Sequence, residues 1–201
     1  MKDIEYLLLD LGGVLYGVDY GRTLEKLGLS GRELAALMQD PILVAYEKGE
    51  IPTETFLEAW QTRFSHLSQE ALQEAWNAML LGPIPQTEKI IQTLSAHYPL
   101  ALLSNTNDLH LTIVEPQIAP WKPYFIETFF SNRLKKRKPE PETYLHVLRE
   151  LGWPVEKTLF VDDSATNIAG ASRAGLKTYL ISPNSPERLL KLIPAASSPA
   201  K

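Results

Sequence analysis

The stretch Leu7-Leu8-Leu9-Asp10-Leu11-Gly12-Gly13-Val14-Leu15 decides the fold, because an apolar run passes straight into an aspartate and then a glycine pair. An apolar run bounded by a turn reads as a buried parallel strand. The same pattern returns at Leu100-Ala101-Leu102-Leu103 before Ser104, and at Leu159-Phe160-Val161 before Asp162-Asp163. In an open α/β sheet the crevice outside the carboxyl ends of the strands is where ligands bind, so these three polar ends are expected to converge there.

Working outward, strands are expected at 100–104, 125–130, 159–162 and 178–181. Helices are expected near 87–96, 108–114, 141–151 and 165–174, with Gly152 and Gly175 ending the last two. Such alternation predicts an α/β, Rossmann-like three-layer sandwich with a mostly parallel sheet and right-handed crossovers.

Between Leu15 and the resumed sheet pattern the chain reads as helix after helix. Ser30 and Glu33 have capping-box spacing ahead of Leu34, Leu37 and Met38. Thr53 precedes Phe56, Leu57, Trp60 and Phe64, and Ser68 precedes Leu72, Trp76, Met79 and Leu80. Each set presents one apolar face, so a small bundle inserted over the core is expected. The expected division is a discontinuous core, 1–15 and 85–201, with a helical cap over 16–84. The tail 194–201, rich in Ala, Ser and Pro, is expected to be frayed.

The chain has 201 residues, 44% hydrophobic and 22% charged, a net charge of −4 and no cysteine. That suits one core plus a modest insertion, and it excludes disulfides and thiol catalysis. Mild acidity argues against a nucleic-acid partner. A strand within a few residues of Met1, with neither basic leader nor long apolar stretch, predicts no signal peptide, no membrane span and, by default, a cytoplasmic location. Nothing in the residues predicts an oligomeric state.

Three carboxylates crowded together repel unless a cation sits among them. Oxygen-only ligands favour a hard ion, and magnesium is the usual choice beside phosphate. Lys138, in Arg137-Lys138-Pro139-Glu140-Pro141, can offer a point positive charge to a phosphate oxygen. These are the parts of a phosphoryl-transfer site.

The order Asp10, Ser104, Lys138, Asp162-Asp163 resembles the four motifs of the haloacid dehalogenase superfamily over nearly the whole chain. Asp-Leu-Gly-Gly-Val-Leu, Ser-Asn-Thr-Asn-Asp-Leu-His and Val-Asp-Asp-Ser-Ala-Thr-Asn-Ile resemble in particular bacterial sugar-phosphate phosphatases akin to the amino-terminal domain of soluble epoxide hydrolases. The resemblance implies a magnesium-dependent hydrolase of a small phosphorylated metabolite, with Asp10 as nucleophile. Asp10, the Gly12 carbonyl and Asp163 would bind the metal, and Asp162 would do so directly or through water. Ser104, Asn105 and Lys138 would hold the phosphoryl group. Asp10, Ser104-Asn105 and Asp162-Asp163 also have plainer readings as turn or helix-capping residues, and the basic run Arg133, Lys135, Lys136 and Arg137 beside Lys138 reads as a solvated loop.

Gly12 departs from the family pattern, which usually places a second aspartate there to protonate the leaving oxygen, a contribution of about 10²–10⁴-fold. Asp19 could substitute as the acid or serve as a turn or cap residue, and His110 could touch substrate or be simply packed. Asn167 stands where many relatives carry another acid. Alternatives are a phosphate sensor that lost turnover, a dehalogenase, or a phosphomutase.

Overall fold

A computed structural model describes residues 3–193, so the tail 194–201 lies outside the described residues. Strand β1 (Tyr6–Leu9) forms the middle of a five-stranded sheet with β4 (Leu100–Ser104), β5 (Glu127–Phe130), β6 (Thr158–Asp162) and β7 (Lys177–Leu180). Their order is β5-β4-β1-β6-β7, and every pairing is parallel. Register matches Leu9 to Leu102 and to Val161, so Asp10, Ser104 and Asp162 emerge at the same edge of the sheet.

Successive residues of a strand face opposite sides, which divides the core into two layers. Leu7 and Leu9 pack with Ile91 and Leu94 of a helix over Thr87–Ser95 and with Leu111 and Val114 of a helix over Asp108–Ile118. Leu8 packs on the other face with Tyr144 and Val147 of Pro141–Leu151 and with Ala171 of Ala165–Arg173. Trp121, whose role was not legible in the sequence, is buried in the first of these layers.

In chain order the helices are α1 (Tyr20–Leu27), α2 (Leu34–Leu37), α3 (Pro41–Glu47), α4 (Thr53–Arg63), α5 (Gln69–Asn77), α6 (Thr87–Ser95), α7 (Asp108–Ile118), α8 (Ser131–Leu134), α9 (Pro141–Leu151) and α10 (Ala165–Arg173). Helices α1 to α5 enclose their own apolar centre, in which Phe56, Trp60 and Trp76 touch ring to ring. These aromatics therefore build the bundle interior. The Ser30–Glu33 capping box and the Ser68 cap are present. Thr53 is instead the first residue of α4, its hydroxyl bonded to Tyr46.

The segment 16–84 is not helical throughout. Strands β2 (Tyr16–Val18) and β3 (Leu80–Pro83) pair antiparallel where the chain leaves and re-enters the α/β layers. Leu80, expected on a helix, lies on β3 because α5 stops at Asn77. Strands of three and four residues containing Gly17, Gly82 and Pro83 carry too few alternations to register against a helical pattern. Among the described residues no helix is long and apolar enough to cross a membrane.

Candidate active site

Asp10 follows β1 and is 7% exposed. Its Oδ1 accepts the Leu11 N–H at 2.7 Å and lies 2.7 Å from Lys138 Nζ. The same ammonium donates to Asp162 Oδ2 at 2.7 Å, so one lysine, 1% exposed, bridges two carboxylates from different strands. Ligand oxygens of Asp10, Asp162 and Asp163 lie within 4.8 Å of one another. The convergence expected from the three strand ends is realised, with lysine as its centre.

Electrostatics follow from burial. Desolvation and the neighbouring Asp162 push the Asp10 carboxyl well above its ordinary range, against the pull of Lys138. Burial and Asp162 push Asp163 up to about 6. Burial works against the Lys138 ammonium, but Asp10 and Asp162 outweigh it and hold its pKa above the usual value. One buried cation thus leaves the acidic cluster under-neutralised. A hard divalent ion bound by oxygen ligands fits that deficit.

Two glycines that the sequence reading passed over shape the cluster. Gly13 sits at φ +73°, and a Cβ there would fall 2.1 Å from Asp163 Oδ2, so glycine is what admits that carboxylate. A Cβ on Gly170 would fall 2.2 Å from the Pro139 carbonyl, so its absence lets α10 seat the loop that carries Lys138. Their signal, a glycine pair after Asp10 and a lone glycine inside a helix, names no contact partner.

Asn105 has a different occupation from the one expected. Its Nδ2 donates to the Lys138 carbonyl at 2.9 Å and its Oδ1 accepts the Lys138 N–H at 2.9 Å, so the side-chain amide clamps the lysine backbone. Ser104 lies buried at the end of β4 beside the crevice. Asn167 donates to both oxygens of Asp162, at 3.1 and 3.0 Å, and so orients that acid without adding charge.

Asp19 caps α1 by accepting the Gly21 N–H at 2.9 Å and faces Arg22, matching its plainer reading. His110 is buried, stacked on Trp76 at 4.9 Å, with Nε2 3.3 Å from the Trp76 carbonyl. Burial drives its pKa down to about 4, so the ring is neutral near pH 7. It lines a cavity of about 60 Å³ that also touches Gly12 and Ser104.

Over the acidic cluster lies a crevice of about 500 Å³, walled by Asp10, Gly12, Ser104, Lys138 and Asp163 from the sheet side and by Met38, Gln39 and Glu47 from the bundle. That volume suits a small metabolite. Of the basic run before Lys138, most members are committed elsewhere: Arg133 pairs with Glu115, Lys135 with the Gly49 carbonyl and Arg137 with Glu47. Lys135 and Arg137 thereby latch the run onto α3 and the turn after it, and Arg133 ties it to α7.

A family model described as haloacid dehalogenase-like hydrolase matches residues 4–175. The D-ribitol-5-phosphate phosphatase of Bacteroides thetaiotaomicron is 26% identical over 88% of this chain and 91% of its own length. The HAD family enzyme BT-2542 of the same organism superposes with a TM-score of 0.77 at 32% identity, covering 88% of this chain and 93% of that one. Its complex with magnesium and inorganic phosphate matches at a TM-score of 0.74 and 31% identity, over 88% and 93% of the two chains. A HAD-like hydrolase of Porphyromonas gingivalis, 26% identical, reaches 0.80 over 94% and 98%. Motif order, the parallel sheet with its acidic edge, and these matches all agree that the chain belongs to the haloacid dehalogenase-like hydrolase family.

Proposed function

We propose that the protein is a magnesium-dependent phosphatase that hydrolyses a small phosphomonoester, a sugar or sugar-alcohol phosphate, through an aspartyl-phosphate on Asp10. The observation that carries this reading is Lys138 held 2.7 Å from both Asp10 and Asp162 at the floor of the crevice. A buried lysine so placed neutralises the nucleophile's surroundings and offers charge to a phosphate oxygen. Relatives whose names specify a phosphatase or a magnesium–phosphate complex support it.

With Oδ1 of Asp10 engaged by Leu11 and Lys138, Oδ2 is the oxygen that attacks phosphorus in line. Ser104, with backbone N–H groups of the loop after it, holds the equatorial oxygens as they gain charge. Asn105 and Asn167 act through others, fixing Lys138 and Asp162 respectively. Water then attacks phosphorus, which breaks the acyl-phosphate bond to Asp10 Oδ2 and releases phosphate.

Asp10, Asp163 and the Gly12 carbonyl would hold magnesium, with Asp162 direct or through water. When bound, it supplies charge neutralisation on the phosphate oxygens and relieves the carboxylate repulsion. A dehalogenase would use the same aspartate on carbon without a cation, and the acidic cluster speaks against that alternative.

The test is phosphate release from a panel of sugar and sugar-alcohol phosphates, with magnesium and with chelator. Magnesium-dependent release that disappears in Asp10→Asn is expected. A wild type that binds a phosphate mimic yet releases none would make the protein a sensor, and activity surviving in Asp10→Asn would remove Asp10 from its role.

A further inference from the structure

Glycine at position 12 removes the acid that would protonate the departing oxygen, and Asp19 is occupied as a helix cap outside the crevice lining. Apart from the acidic cluster itself, the crevice has one carboxyl in its lining, Glu47, on the last residue of α3. We propose that Glu47 is the general acid of the first half-reaction, donating its proton from the bundle wall to the leaving oxygen of the phosphomonoester.

The geometry supports this in three ways. In-line displacement puts the leaving oxygen on the side of phosphorus away from Asp10, hence away from the β1 end and toward the bundle, where Glu47 stands. Glu47 is 4% exposed and also lines the smaller cavity that touches Gly12. Arg137 Nη2 lies 2.8 Å from its Oε2, yet Oε2 makes no hydrogen bond and Arg137 Nε has no partner, so the pair is positioned with hydrogen-bonding capacity to spare.

Burial raises the Glu47 pKa against the opposing pull of Arg137 and Lys138. Tyr20 brings a phenol to the same crevice wall. With an ordinary pKa of about 10, a phenol is the weaker acid of the two.

As the bond from phosphorus to the leaving oxygen breaks, the electron pair goes to that oxygen, which takes the Glu47 proton, while the bond from Asp10 Oδ2 to phosphorus forms. Water then attacks phosphorus as the bond from phosphorus to Asp10 Oδ2 breaks, its proton going to the released phosphate, and the Glu47 carboxylate regains a proton from solvent, which restores both groups.

This inference rests on the phosphatase reading, and leaving-group dependence separates the two. Steady-state rates are measured for wild type, Glu47→Gln, Glu47→Asp and Tyr20→Phe on a series of phosphomonoesters, from sugar-alcohol phosphates to p-nitrophenyl phosphate. If wild type hydrolyses none of them, the phosphatase reading fails. If it does, Glu47→Gln should lose about 10²-fold or more on alkyl esters. It should fall only slightly on p-nitrophenyl phosphate, whose leaving group needs no proton, and that residual turnover also verifies folding. Glu47→Asp should show the same selective pattern in weaker form. A uniform loss across the series in both Glu47 variants, or the selective pattern appearing in Tyr20→Phe instead, overturns the assignment.

Discussion

The Asn105 side chain holds the Lys138 peptide from both sides, accepting its N–H and donating to its carbonyl at 2.9 Å each. The residue after β4 thereby fixes the loop before α9 and, through it, the ammonium between Asp10 and Asp162. Asn105→Ala leaves the buried Lys138 backbone groups unsatisfied, at a cost of about 1–3 kcal/mol. Urea unfolding should register that loss, and turnover should fall with it because the lysine is no longer held.

Lys138→Met removes the cation between two buried carboxylates. Breaking a buried ion pair by deleting one partner costs about 3–5 kcal/mol. The Asp10 carboxyl already sits above its unfolded-state pKa because of burial and Asp162, and loss of Lys138 raises it further. Titration of Asp10 in the unfolded chain is common to both proteins, so the penalty is full where Asp10 is ionised in the folded wild type and shrinks as pH falls and Asp10 protonates. Unfolding curves of the metal-free proteins at pH 7 and pH 4 should show the gap between variant and wild type narrowing on acidification.

Gly13→Ala places a methyl where Asp163 Oδ2 stands, at a backbone conformation that L-residues rarely adopt. Asp163 must move away. Magnesium affinity, measured calorimetrically, should drop about tenfold or more, the scale seen when a ligand loses its positioning. Unchanged affinity would show that Asp163 is not a ligand.

His110 gives a pH dependence of opposite sign. Its folded pKa, about 4, lies below the ordinary 6.5, so between these values the unfolded chain binds a proton that the folded one does not. Stability linked to this group is complete above about pH 6.5 and is lost as pH falls toward 4, by about 3 kcal/mol. His110→Phe keeps a ring against Trp76 and removes the titration. Its stability should vary less with pH than that of the wild type across this interval.

Much of the α/β pattern was legible because strands buried on both faces write themselves as apolar runs, and Leu100–Ser104 and Pro141–Leu151 coincide with the expected spans. The hairpin of β2 and β3 was not, since it is too short for a period and its partners lie more than sixty residues apart. At the site, Asp10, Lys138 and the Asp162-Asp163 pair were legible from residue type and position after a strand or before a helix. Glu47 was not, because a glutamate at the end of an amphipathic helix looks like any solvated charge.

The linear order of residues determined by itself the alternation of strands and helices and which polar groups end the central strands, since periodicity and chain-terminating residues are local properties. Tertiary structure alone decided which of those groups meet: that Lys138 bridges Asp10 and Asp162, that Asn105 serves the lysine backbone, that Gly13 makes room for Asp163, and that α3 carries Glu47 into the crevice. Those are contacts between segments far apart along the chain, set by packing of the bundle and the sheet, and no local pattern encodes the partner.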